Sequence, residues 1–375
     1  MTSSQREAYA AARTISPTLH TYFARHREEA VRRGQGRLAP LPNAETIEAI
    51  VDAAFWASLR REEGFSPRIS LAFLSWEEAG HPLTLERLLP LSPGVLTRVS
   101  PAVERPGVHL GIWRGPDGLC VWGTTRTIPV LCFVLEVAAP GLLVVKHHSG
   151  EARKFVNVAV LEGDRIKVVD ERASSRPECP ALLTSLLGFD SPASWVQSVN
   201  AMVQLAVSMR AHGRGGSLLV VPAGTESWRE SILQPIHYAV SPPFCELADL
   251  SRLTLGRTEE LGPTIAALAG LTGVDGAVVL TNRYELLGFG AKIARRRGRP
   301  QVEQVTLTEP VENDTPVLVH PEQLGGTRHL SAAQFIQDQR DAVALVASQD
   351  GRFTVFEWSP CENMVHAHRL DVLLL

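Results

Sequence analysis

Between Asn43 and Glu63, the apolar residues Ile47, Ile50, Val51, Ala54, Phe55 and Leu59 recur at the spacing of one helix face. Acidic residues near the start of that run suit the positive end of a helix dipole. A polar helical stretch, Tyr22 to Arg33, comes before it and is stopped by Gly34, Gly36, Pro40 and Pro42. From Ile69 to Val169 the texture changes to short apolar or alternating runs separated by Pro, Gly and Asp. Ile69–Leu74, Val108–Trp113, Leu119–Gly123, Leu142–Lys146, Val156–Leu161 and Ile166–Val169 read as strands, and Glu162-Gly163-Asp164 as a hairpin turn.

Glu171 to Pro180, rich in Ser and Pro, reads as a linker. Beyond it the pattern alternates. A helix is expected at Ser194–Met209, a buried strand at Ser217–Val221, a helix around Trp228–Leu233 and another apolar element at Ile265–Leu271. A short strand at Val278–Leu280 and a helix at Ala332–Gln337 follow. Strands at Ala342–Ala347 and Phe353–Trp358 close the pattern around the turn Gln349-Asp350-Gly351. Strands alternating with helices imply an α/β domain with a largely buried mixed sheet flanked by helices. The expected division is a helical arm over 1–42, a β-rich α+β domain over 43–180, an α/β domain over 190–360 and a tail over 361–375.

Composition narrows the function classes. At 375 residues the chain suggests two domains, and 45% hydrophobic with 21% charged residues suits buried cores. A formal charge of −3 gives no global attraction to nucleic acid or anionic lipid. Five scattered cysteines without a C-x-x-C pair point to reduced thiols rather than a disulfide framework or zinc ribbon. No secretory signal pattern opens the chain and no apolar run reaches a membrane span, so a cytoplasmic protein is expected.

Candidate chemistry sits in two glycine-flanked strings, Val274-Asp275-Gly276-Ala277 and Gly325-Gly326-Thr327-Arg328-His329. Asp275 precedes an apolar strand beside two small residues, Gly276 and Ala277, where a carboxylate can hold Mg²⁺ or Mn²⁺. Taken alone, Asp-Gly is more often a simple turn. Thr327 is expected to cap a helix whose N-terminus faces an anion, with Arg328 adding a charged fork and His329 a further donor. An ordinary capped helix with a surface Arg and His is the bland alternative. The run Arg295-Arg296-Arg297-Gly298-Arg299 could screen polyphosphate or contact nucleic acid, although without interleaved aromatics it reads first as a solvated loop. His147-His148 lacks a third ligand at metal spacing, and Trp113 and Trp122 are expected to fill a sheet face. No Walker, Rossmann, H-E-x-x-H or G-x-S-x-G pattern is present.

These residues resemble the diadenylate cyclase family, which makes cyclic di-AMP from two ATP. The family's two signatures are Asp-Gly-Ala and a Gly-Thr-preceded Arg-His-Arg, here Asp275-Gly276-Ala277 and Gly326-Thr327-Arg328-His329-Leu330. The likeness covers roughly residues 192 to 358. It extends to Gly215–Val221 as a first core strand, Phe244–Leu250 as a helix entry, Leu287–Ala291 as the next strand and Ala342–Gln349 as the closing strand. The β-rich half resembles a sensor domain of the DACNV type that often precedes such cyclases. The resemblance implies that Asp275 binds metal and helps activate a ribose hydroxyl, and that Arg328 and His329 join it in catalysis. Gly276, Ala277, Gly325, Gly326 and Thr327 would complete the nucleotide site. It also implies ATP as substrate, a face-to-face homodimer or higher assembly, and an unknown ligand for the first domain. Leu330 replaces the second Arg, which leaves a weakened or inactive nucleotide sensor as the alternative.

Overall fold

The structure, a computed structural model, describes residues 8–149, 155–170, 201–252 and 258–375, so the proposed linker lies outside the described residues. The chain forms two compact units that divide between Val169 and Asp170.

The first unit opens with helices α1 (Ala10–Arg32) and α2 (Ala44–Ser58). Asn43 caps α2 by accepting the Thr46 N–H at 2.9 Å. An eight-stranded sheet follows, built from β1 (Ile69–Phe73), β2 (Leu83–Pro90), β3 (His109–Gly115), β4 (Gly118–Thr125), β5 (Phe133–Ala139), β6 (Leu142–His148), β7 (Phe155–Glu162) and β8 (Arg165–Val168). A short helix α3 (Pro93–Val99) lies between β2 and β3. The order is β2-β4-β3-β1-β5-β6-β7-β8, antiparallel except for the parallel β1–β3 pair. Leu19, Phe23, Ile47, Ile50 and Val51 pack with Leu71, Phe73 and Leu135 in one core. The expected N-terminal arm is therefore part of this core. Helix α1 begins well before Tyr22 and runs through Pro17; Arg13, whose carbonyl lacks a partner N–H, is exposed and open to water. On the other sheet face Trp122 is buried, lies against Gly111 and donates its indole N–H to the Leu74 carbonyl at 2.8 Å.

The second unit is a three-layer α/β/α arrangement. Its helices are α4 (Ala201–Ala211), α5 (Glu246–Arg252), α6 (Thr258–Leu271), α7 (Glu322–Gly325) and α8 (Thr327–Asp338). The nine strands are β9 (Gly216–Val221), β10 (Tyr238–Phe244), β11 (Ala277–Thr281), β12 (Leu286–Ala291), β13 (Val305–Thr308), β14 (Val317–Val319), β15 (Val343–Ala347), β16 (Phe353–Ser359) and β17 (Met364–Arg369). They lie in the order β10-β12-β11-β9-β15-β16-β17-β13-β14. The two-residue period of β9 divides the core: Leu218 and Val220 face α4 and α6, whereas Leu219 and Val221 face α8.

Three expectations are corrected here. The stretch after Pro360 is not a tail, because β17 pairs with both β16 and β13 inside the sheet. Ser227–Ser231 forms a single 3₁₀ turn rather than a helix to Leu233, since Leu233 instead donates its N–H to the Lys292 carbonyl at 2.8 Å. Thr327 does not cap α8. Gly326 holds that position with φ 81° and ψ −155°, a backbone region essentially confined to glycine, and Thr327 is the first helical residue.

Candidate functional site at the strand ends of the second sheet

Strand register brings the two motifs to the same end of the sheet's central strands. Parallel pairing sets Ala277 of β11 opposite Ser217 of β9, which leaves Asp275 level with Gly215. Antiparallel pairing brings Ala347, at the end of β15, to Gly216. Arg328, in the first turn of α8, lies over this point: a Cβ on Gly215 would sit 3.0 Å from a guanidinium nitrogen and 3.2 Å from the Ala347 carbonyl oxygen. Gly215 is thus needed twice, for its φ of +70° and for the space that Arg328 fills.

On the other flank of Asp275, Ala277 pairs with Ala291 of β12, so the residues just outside that pair meet. The Lys292 ammonium lies 2.5 Å from an Asp275 carboxylate oxygen. The Asp275 side chain is 92% exposed, yet its pKa is held below the usual carboxylate range. The Lys292 hydrogen bond and charge are the main causes, and Arg328 adds to them. An ionised carboxylate therefore stands between two cations. The aliphatic part of the Arg214 side chain passes close to Gly273, two residues before Asp275.

A cleft of about 360 Å³ opens on the Lys292 side, with Asp275, Lys292, Gly290, His237 and Tyr238 among its lining. Tyr238 is 43% exposed, and its ring stacks on Phe289, with centroids 4.7 Å apart and 16° between planes. Gly290 makes room for it, because a Cβ there would fall 2.8 Å from the ring. None of Gly325 to His329 lines this cleft. Arg328 is the member of the second motif whose charge reaches Asp275.

The remaining motif residues have structural surroundings. Gly276 has φ +117°, and a Cβ there would lie 2.5 Å from the Gly290 carbonyl carbon, so glycine permits the close approach of β11 and β12. Ala277 is buried in the core on the α8 side. Gly325 and Gly326 are exposed at the turn into α8, where Gly325 leaves room for the His329 ring. His329 is 1% exposed, turned inward with its ring edge toward Phe356, and neither ring nitrogen makes a well-formed hydrogen bond. Burial pushes its pKa down to about 4; the nearby Gly325 carbonyl opposes that shift without the alignment of a full bond. The imidazole is thus neutral and faces inward beside the glycine turn.

The arginine run belongs elsewhere. The Arg296 N–H donates to Asp338 at 2.8 Å, at the C-terminal end of α8, and its guanidinium pairs with Glu230 at 2.5 Å. That end of the helix lies about 16 Å from Thr327, by the rise of 1.5 Å per residue. Sequence reasoning missed Lys292 and Tyr238. The one available signal was that Lys292 directly follows the strand expected beside Asp275.

Among known families, the model described as "Probable sensor domain DACNV" matches residues 36–126, which run from just before α2 to just after β4. The first unit therefore carries the sensor-type segment that the sequence suggested, and the match stops short of the second unit. No curated protein matches the chain. No helix among the described residues is long and apolar enough to cross a membrane.

Proposed function

We propose that the chain is a sensor-regulated diadenylate cyclase, its second unit condensing two ATP into cyclic di-AMP with release of two pyrophosphates. The observation that carries this reading is an ionised, exposed carboxylate at the end of a central strand, flanked by Lys292 and Arg328 and opening onto a cleft walled by Tyr238. Cations around one acidic group suit a metal-bound polyphosphate. The exposed ring of Tyr238 suits a base. The sensor-type segment at residues 36–126 supports a signalling role.

Mg²⁺ or Mn²⁺ fits this site as a metal–nucleotide. No group of three or more His, Cys, Asp or Glu side chains gathers for a metal among the described residues. Mg²⁺ ordinarily takes one or two protein carboxylates and completes its octahedron with water and phosphate oxygens, so Asp275 alone is a sufficient anchor. The ion, when bound, neutralises phosphate charge and favours ionisation of the attacking ribose hydroxyl. Arg328 would stabilise the triphosphate as pyrophosphate leaves, and His329 would keep the Gly325–Arg328 turn in place. Joining two nucleotides requires two such sites face to face, hence a homodimer or larger assembly.

Incubating the purified chain with ATP and Mn²⁺ or Mg²⁺ should yield cyclic di-AMP by mass spectrometry, and Asp275→Asn should lower the yield at least 100-fold, on the order of a key electrostatic contact. Equal inactivity of both proteins across metals and nucleotides would sink the cyclase reading.

A second reading has its own support. Leu330 is half-buried against the core on the α8 side, where an arginine would face apolar neighbours. A nucleotide sensor without turnover then predicts saturable ATP binding that is weakened by Arg328→Ala and gives no product.

A further inference from the structure

The ion pair between Lys292 and Asp275 poses a question that the proposed reaction does not answer. The group best placed to hold a divalent cation already has a cation on it, 2.5 Å away. Lys292 is not a loose surface side chain that happens to fall there. Its carbonyl accepts the Leu233 N–H at 2.8 Å, the next residue bridges to Ile232, and the Ala294 N–H is bonded to the Ser231 carbonyl at 2.9 Å. The backbone that carries it is thus anchored on both sides. Meanwhile its side chain, about half exposed at 49%, lines the cleft together with Asp275 and Tyr238.

An ammonium in that position has two consequences of opposite sign. It occupies the carboxylate that a metal would use and repels an incoming cation, so it weakens metal binding to the empty site. Once the carboxylate is engaged by a metal, the same ammonium has lost its partner while sitting at the mouth of a cleft where phosphate oxygens would lie. Exposed ion pairs are weak, typically worth a few-fold in an equilibrium, so the exchange needs no large rearrangement.

We propose that Lys292 is a phosphate-binding residue held in reserve. In the empty site its ammonium neutralises Asp275. When a divalent cation arrives with a nucleoside triphosphate, the cation takes the carboxylate and the ammonium turns to the triphosphate. This role rests on the nucleotide-site reading above and adds to it a residue that gates metal entry and makes it depend on the nucleotide.

The test compares the wild-type chain with Lys292→Met in two binding measurements that require no turnover. Free Mn²⁺ titrated without nucleotide and followed by electron paramagnetic resonance should bind Lys292→Met about two- to five-fold more tightly. The α,β-methylene analogue of ATP, which cannot release pyrophosphate, titrated with saturating Mg²⁺ and followed by calorimetry should bind the same variant more weakly by a similar factor. Lys292→Arg should keep the affinity for the analogue near that of wild type. Unchanged affinities in Lys292→Met, or shifts of the same sign for both ligands, would overturn the exchange. The nucleotide reading fails separately, if Asp275→Asn leaves Mn²⁺–ATP binding as it was.

Discussion

Burial moves the imidazole of His329 to a pKa of about 4, and that of His109 in the first unit to about 4 as well. For His109, Glu136 pulls the value back up while His148 and Lys146 push it further down. Both rings are therefore neutral in the folded protein at pH 7, whereas in the unfolded chain each titrates near 6.5. A histidine whose folded pKa is depressed contributes its stability in full above the unfolded value and loses it as the pH falls toward the folded one. Each shift corresponds to about 3 kcal/mol. Urea midpoints should consequently fall between pH 6.5 and 4, and His329→Gln should flatten that dependence for the second unit. An unchanged slope in the variant would mean that other groups govern the acid limit. At this scale the sequence was only half legible. The residue types at Asp275 and Arg328 could be read, but the inward turn of His329 depends on the space beside Gly325, and that space is a tertiary fact.

Elements differ in how openly they declare themselves. Strands β9, β11 and β15 are largely continuous apolar runs because both of their faces are covered, and the sequence shows them within a residue or two. The β2 segment is exposed along nearly its whole length, so no burial pattern marks it. The β10 segment contains Pro242 and Pro243, which argue locally against a strand and are tolerated because it lies at the sheet edge. In β17, His366 and His368 look like surface residues, yet both are buried. His366 meets Glu362 at 2.8 Å, and His368 meets Glu357 at 2.8 Å and Thr308 at 2.7 Å. Two substitutions test the element-level account. Gly276→Ala should cost about 1–3 kcal/mol, combining an unfavourable φ with a clash against the Gly290 backbone, and should displace Asp275 from Lys292. Asn43→Ala should cost about 1 kcal/mol through loss of the α2 cap, seen as a lower midpoint for the first unit.

For the whole molecule, the two-unit division and the mixed-sheet character of the second half were readable from the shift in hydrophobic period. The ends of the units were not, since α1 and β17 are each completed by partners distant in sequence. A chain ending at Pro360 should lose the cooperative melt of the second unit in calorimetry, because β16 and β13 would each be left with a bare edge. Retention of a full transition would show that β17 is dispensable. The outermost strands of this sheet carry a final implication. Pro242 and Pro243 lie within β10, so that flank offers no unbroken row of amide donors to a stranger, and the opposite flank, β14, is only Val317–Val319 long. A strand from another molecule laid along either flank would find few amides to pair with, so ribbon-like growth of this sheet is blunted at both ends.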